Sequence, residues 1–114
     1  MIKMQLMKKL KEEIQSAVNI FKSGNLSKAE QVSKKLIKVN PDVVFLYNLL
    51  GLILSGQGKS EQAIECYEKG IKIDPNFAMI YNNLALLFVN RQSSSDMKKA
   101  EIYYKKSMTM CLDN

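Results

Sequence analysis

Histidine and tryptophan are absent from this 114-residue sequence, and only two cysteines occur, Cys66 and Cys111. The two cysteines form no CxxC pair, which excludes the usual zinc, haem-attachment and redox motifs. Each cysteine is therefore interpreted as a small apolar helix residue in a reducing compartment.

Catalytic motifs are missing as well. Catalysis needs a positioned acid, base, nucleophile or metal, and the sequence has neither a phosphate-binding glycine loop nor a GxSxG motif. The acidic residues Glu61, Glu65 and Glu68 have the spacing of a solvated helix face. That spacing predicts ordinary i, i+4 ion pairs, Glu65–Lys69 and Glu68–Lys72. We expect a non-catalytic protein that uses no cofactor and no metal.

Proline and glycine are scarce, at two and five residues, which excludes a fibrous, linker-like or low-complexity protein. No apolar run approaches the roughly 18 residues that a membrane span needs. Lys3, Lys8 and Lys9 interrupt the start of the sequence, so it lacks the apolar core of a signal peptide. A cytoplasmic protein without a membrane span is expected.

The net charge of +6 is concentrated in the front part of the sequence. Residues 1–41 hold nine lysines and three glutamates, a balance of +6, whereas eight basic and eight acidic residues cancel in residues 42–114. Such a basic segment can attract nucleic acid, anionic lipid or an acidic partner. The lysines are spaced as solvated helix faces and no aromatic residues alternate with them, so nucleic-acid binding is not expected.

The strongest signal in the sequence is an internal repeat with a period of about 34 residues. The pairs related by this period include Gly24 and Gly58, Ala29 and Ala63, Pro41 and Pro75, Tyr47 and Tyr81, Leu50 and Leu84, and Leu52 and Leu86. Beyond Phe88 the period lengthens by three, and the extra residues fall near 93–95, in a serine-rich stretch typical of a loop.

Each period predicts two short amphipathic helices. Tyr47, Leu50, Gly51 and Leu54 recur at i, i+3, i+4 and i+7, which is one face of a helix. After a glycine-rich break, Ser60 is placed to cap the next helix. The predicted helices span residues 4–23, 26–39, 42–56, 60–73, 76–91 and 96–112.

These positions resemble the tetratricopeptide repeat, whose pattern is W-x2-L-G-x2-Y…A-x3-F…P with the same period. The second repeat reads Tyr47-x2-Leu50-Gly51-x2-Leu54…Ala63-x3-Tyr67…Pro75, and the third reads Tyr81-x2-Leu84-Ala85-x2-Phe88…Ala100-x3-Tyr104. The first repeat is the most divergent, since Glu13 and Ser33 stand where large apolar residues are expected. The resemblance implies one all-α domain over 1–114, with repeats at about 10–43, 44–77 and 78–114.

The family resemblance also implies a right-handed superhelical solenoid whose first helices line a concave groove. Val18, Leu52 and Leu86 are predicted to form an apolar stripe there, and Asn48 and Asn82 a polar pair. The residues predicted to bind a partner in this groove are Ile14, Val18, Phe21, Phe45, Asn48, Leu52, Met79, Asn82, Asn83, Leu86 and Val89.

The predicted groove residues can be compared with those of two known subgroups of the family. One holds a chaperone's C-terminal carboxylate with cations, but no cation occupies the matching positions here, which are Ile14, Val18, Leu49, Asn82 and Leu86. The other precedes sugar-transferring enzymes and binds extended peptides with asparagines. Asn48, Asn82 and Asn83 resemble that pattern in part.

The function predicted is therefore a scaffold or adaptor that binds a peptide or an amphipathic helix of another protein. One alternative is the substrate-recruiting module of a larger enzyme such as a glycosyltransferase. Another is a self-associating repeat protein. Met108, Met110 and Leu112 near the end lack the polar capping helix that solenoids need, so we expect either a fragment of a longer protein or an end buried by self-association. A homodimer is therefore a further expectation.

Overall fold

The computed structural model describes residues 1–112, and within that range the chain is entirely helical apart from short turns. The all-α prediction is confirmed, and each helix bound differs from the predicted one by at most two residues. The helices are α1 (Ile2–Lys22), α2 (Leu26–Val39), α3 (Val44–Gly56), α4 (Ser60–Ile73), α5 (Ala78–Arg91) and α6 (Ser94–Leu112).

The prolines explain why α3 and α5 begin two residues later than predicted. Pro41 and Pro75 each open a short turn instead of a first helical turn, and α3 and α5 begin only at Val44 and Ala78. The tyrosine hydroxyls fix these turns: Tyr47 donates to the Pro41 carbonyl and Tyr81 to the Pro75 carbonyl, both at 2.8 Å. Tyrosine and proline thus recur in successive repeats because each pair forms the same kind of hydrogen bond across its turn.

The turns inside the first two helix pairs depend on a glycine with a positive φ angle. Gly24 and Gly58 have φ angles of +90° and +79°, a left-handed conformation that glycine adopts without steric cost. Ser60 is not the N-cap that the sequence predicted, because Lys59 holds that position and makes no side-chain cap. The side chain of Asn25 does cap α2, by accepting a hydrogen bond from the Lys28 amide at 3.2 Å.

The helices pack as a curved row of antiparallel pairs. Each helix packs against the next one in the sequence, and α3 also approaches both α1 and α5. Within residues 1–112, α4 makes no comparable approach to α2 or α6. Since the first helices of the pairs touch one another and the second helices do not, α1, α3 and α5 lie on the inner side of the curve.

Small residues let the helices approach closely. Gly51 of α3 is buried, and a methyl group placed there would collide with the ring of Tyr67 on α4. The equivalent positions in the other pairs hold Ala17 and Ala85, which are both fully buried. Tyr67 itself is buried in the core, and this burial raises the pKa of its hydroxyl. The close approach of α3 to α4 therefore depends on Gly51, which leaves room for the Tyr67 ring.

The first pair solves the same packing problem with the opposite choice of sizes. Ala17 stands where α3 has Gly51, and Ser33 stands where α4 has Tyr67. Both Ala17 and Ser33 are fully buried, so a larger residue on α1 is combined with a much smaller one on α2. Ser33, which made the first repeat look divergent, is thus a fully buried residue of the first pair.

The ion pairs differ from those that the sequence predicted. Glu65–Lys69 and Glu68–Lys72 do not form among the described residues. Glu61 instead lies 3.0 Å from Arg91, at the end of α5. Because the Arg91 guanidinium also lies 3.4 Å from Asp96, this arginine links the ends of three helices.

We expect the substitution Gly51→Ala to destabilise the fold by about 1–3 kcal/mol, because the added methyl forces the Tyr67 ring to move. Chemical denaturation followed by circular dichroism measures this loss. Gly56→Ala is the matched control at the end of the same helix, where the added methyl would lie 3.3 Å from a flexible Leu26 methyl.

The cost should also depend on Tyr67. In a Tyr67→Leu background the penalty of Gly51→Ala should shrink, which gives a measurable coupling between the two positions. An unchanged penalty in that background would show that the tyrosine ring is not what excludes the methyl group.

Candidate functional site

The predicted groove residues lie on the three helices of the inner side of the curve. α3, whose sequence has no charged residue, occupies the middle, and the only charged residue of α5 is Arg91 at its end. The structure places the predicted residues as follows: Ile14, Val18 and Phe21 on α1, Phe45, Asn48 and Leu52 on α3, and Met79, Asn82, Asn83, Leu86 and Val89 on α5.

The exposed part of this surface comes from α5. Met79 and Leu86 are 56% and 45% exposed, and Asn82 between them is exposed as well. These three residues follow one another at i, i+3 and i+7, which is a single helical stripe. Leu52 on the neighbouring α3 is half-buried. We name Leu52, Met79, Asn82 and Leu86 the inner face.

The predicted residues on α1 and at the start of α3 lie deeper. Ile14, Val18, Phe21 and Phe45 are half-buried, because they pack against the core cluster that α1, α2 and α3 share. Part of each side chain contributes to the surface while the rest stabilises the first pair. Substitutions at these four positions would therefore change folding and surface chemistry together.

The asparagines are arranged differently from the predicted polar pair. Asn48 is 2% exposed, and its side-chain oxygen accepts a hydrogen bond of 2.8 Å from the amide of Asn83, not of Asn82. A buried amide must be hydrogen-bonded or it costs stability, and here α3 and α5 satisfy each other. The bond thus ties the two inner helices together and leaves Asn82 as the exposed asparagine.

A shallow cavity of about 320 Å³ extends the inner face at the start of α5. Met79, Asn82 and Asn83 line one side, and Ser107 and Cys111 of α6 line the other. The buried Ser107 hydroxyl also lies 3.4 Å from the Ala78 carbonyl. The sequence did not indicate Ser107 or Cys111, because the repeat assigns α6 to the outer row and its shifted register hides their alignment.

Val89 lies three positions after Leu86 on α5 and is half-buried. It packs against the core of the last two pairs and lines a separate cavity of about 420 Å³ on α6 with Met97, Tyr104 and Met108.

The inner face has no ionic chemistry. Arg91, the one charge that α5 contributes, is held by Glu61 and Asp96. Residues 1–112 contain no group of three or more histidine, cysteine, aspartate or glutamate side chains arranged to hold a metal ion. No helix in this part of the chain combines the length and the apolar character that crossing a membrane requires. What the surface offers is apolar contact and one exposed amide.

Comparison with protein families confirms the repeat. Residues 54–91 match a family model described as TPR repeat, and this range runs from the end of α3 through α4 and α5. In this stretch the chain therefore matches the tetratricopeptide repeat that the internal period predicted. None of the curated proteins matches the chain in sequence.

Solved structures show the same helical solenoid. SycD, a type III secretion translocator chaperone of Yersinia enterocolitica, has a TM-score of 0.87 at 18% identity, over 95% of this chain and 78% of SycD. PcrH, solved with the chaperone binding region of PopD, has a TM-score of 0.84 at 18% identity, covering 95% and 79%. MamA from Desulfovibrio magneticus has a TM-score of 0.80 at 22% identity, over 90% of this chain. The chain spans little more than half of that MamA structure, 56% of its length.

We expect Asn83→Ala to lower the free energy of unfolding by about 1–3 kcal/mol, because it leaves the buried Asn48 amide without its partner. The neighbouring substitution Asn82→Ala is the control, and it should change stability by less than about 0.5 kcal/mol because its side chain is exposed. Equal losses for both variants in urea denaturation would contradict a structural role for the Asn48–Asn83 bond.

Proposed function

We propose that the chain is a non-catalytic protein-binding module whose inner face holds an apolar segment of a partner protein. One observation carries the proposal: Met79 and Leu86 are large apolar side chains left about half exposed on the concave side of the solenoid. Neither α3 nor α5 offers an unpaired charge to bind a phosphate or a carboxylate. Binding there has to come from burial of apolar area.

The partner segment that suits this surface is an amphipathic helix. The exposed stripe on α5 is one helix face, and α3, which carries the half-buried Leu52, packs beside α5. A helix laid into such a groove presents apolar residues at i, i+3, i+4 and i+7. Burial of about 400 Å² of apolar surface would contribute on the order of 10 kcal/mol before the entropy of association is subtracted.

Two of the structural neighbours support a peptide-binding role. SycD has been solved in complex with a peptide of the translocator YopD, and PcrH with the chaperone binding region of PopD. Both share the fold of this chain at high TM-score but at low sequence identity. They support the proposal that this solenoid binds a segment of another protein, and they leave the partner open.

The asparagine-lined mode of binding receives less support. In that mode several amides would hold an extended peptide backbone, whereas here Asn48 and Asn83 are bonded to each other. Only Asn82 remains exposed for such a contact. The apolar mode is therefore preferred to the recruiting module of a sugar-transferring enzyme.

Selection from a phage-displayed peptide library tests the proposal. We expect the selected peptides to carry apolar residues with helical spacing and to bind the wild-type chain. The variant Met79→Asp/Leu86→Asp should lose at least about tenfold in affinity, because charges would be buried against apolar residues. Isothermal titration calorimetry measures the affinities.

Ile102→Asp is the matched control, since Ile102 is an exposed apolar residue of the outer helix α6. Circular dichroism spectra of all three proteins should coincide, which separates binding from folding. The proposal fails if the selected peptides bind the double variant and the wild type equally. It also fails if NMR shift changes upon binding map outside the inner face.

A further inference from the structure

The first helix extends beyond the helix that covers it. α1 has 21 residues and α2 has 14, so the first turns of α1 run past the end of α2. The apolar pattern of α1 nevertheless continues into these turns through Ile2, Leu6 and Leu10, each four positions after the last. This helical stripe finds no covering partner among the described residues, and Ile2 and Leu6 are exposed.

The uncovered stripe forms one wall of a groove. The groove has a volume of about 600 Å³ and lies between the start of α1 and the end of α2. Leu6 and Met7 on α1 are 62% and 54% exposed, and Val39 on α2 is 78% exposed. Leu10 and Leu36 form its deeper part. We name Leu6, Met7, Leu10, Leu36 and Val39 the end groove.

Positive charge borders the end groove. Lys3, Lys9 and Lys35 line it, against one acidic residue, Glu13. None of these three lysines forms an ion pair within residues 1–112. The helix pair to which they belong carries the whole net charge of the protein, whereas residues 42–114 are balanced. An apolar floor with a basic rim is complementary to an apolar stripe with acidic flanks.

We propose that the end groove docks an acidic amphipathic helix of a partner protein. A helix is the element that fits, because helices already pack against helix pairs in this fold: α3 contacts both α1 and α2, and α5 contacts both α3 and α4. Its apolar stripe would cover Leu6, Met7 and Val39, and its acidic flanks would lie against Lys3, Lys9 and Lys35. The site is separate from the inner face and goes beyond the function proposed above.

Charge argues against a second copy of the chain in this groove, and shape argues against a membrane. A second copy that docked through the same segment would bring its charge of +6 against the first, and like charges at an interface are unfavourable. A membrane surface is flat, whereas the apolar residues line a concave space between two helices. An acidic protein helix satisfies both the shape and the charge.

Fluorescence anisotropy with a designed peptide tests the proposal on the full chain. The probe is a fluorescein-labelled peptide of about 18 residues, with leucine at helical spacing, glutamate on both flanks and alanine elsewhere. A second probe has lysine in place of every glutamate. We expect micromolar binding of the glutamate peptide and at least about tenfold weaker binding of the lysine peptide. Affinity for the glutamate peptide should fall as salt is raised from about 50 mM to about 500 mM.

Two variants of exposed residues locate the binding. Lys3→Glu/Lys9→Glu/Lys35→Glu should exchange the preference, so that the lysine peptide binds and the glutamate peptide does not. Leu6→Gln/Val39→Gln should weaken binding of the glutamate peptide at least about tenfold while the circular dichroism spectrum is kept. Met79→Asp/Leu86→Asp should bind this peptide like the wild type, so the test is independent of the inner face.

Three results would overturn the proposal. The first is equal binding of the two peptides to the wild-type chain. The second is retention of phosphatidylserine vesicles by the end groove when the glutamate peptide does not bind, which would identify a membrane surface as the occupant. The third is a dimer in sedimentation that Leu6→Gln/Val39→Gln dissociates, which would identify a second copy.

Discussion

Close approach of neighbouring helices at small residues is the constraint on which this structure depends. Gly51 on α3 leaves room for the ring of Tyr67 on α4, and a side-chain methyl would remove that room. Gly70 on α4 likewise leaves room for Ile80 on α5. Because interiors are packed without large voids, these two contacts set how near α3, α4 and α5 lie. The positions of α3 and α5, which carry the inner face, follow from that spacing.

Much of the fold was predictable because the repeat makes local and long-range signals agree. Gly24 and Gly58 mark turns that need a positive φ, and Pro41 and Pro75 follow the second helices. The hydrophobic period then predicts the helices between them. The starts of α3 and α5 were predicted two residues too early, because Pro41 and Pro75 open turns to which Tyr47 and Tyr81 hydrogen-bond. The helix and turn propensities of the single residues do not predict such a hydrogen bond.

The candidate site was less predictable than the fold. Residues of the inner face were identified from their place in the repeat, but their exposure depends on tertiary packing. Asn48 and Asn82 occupy equivalent positions in the sequence, yet Asn48 is buried against Asn83 and Asn82 is exposed. The contribution of Ser107 and Cys111 was missed because α6 is displaced by the longer interval before it. A repeat predicts which residues are equivalent, and packing decides which of them reach the surface.

The two proposed binding surfaces differ in chemistry because they use different parts of the same architecture. The inner face lies on α3 and α5, whose sequences are almost free of charge. The end groove lies on the first pair, where lysines outnumber glutamates. The inner face would select a partner by its apolar shape, and the end groove would also select it by negative charge. A protein that engaged both would need an apolar segment and an acidic helix.

The tyrosine–proline hydrogen bonds have a mechanical consequence. Both junctions between helix pairs carry the same bond of 2.8 Å, from Tyr47 at the first junction and from Tyr81 at the second. At the second junction the Asn83–Asn48 hydrogen bond also joins the inner helices α3 and α5, so uncurling the row there would break this bond as well. The solenoid therefore resists flattening, and a partner chain that binds it has to adopt the curvature of the inner helices.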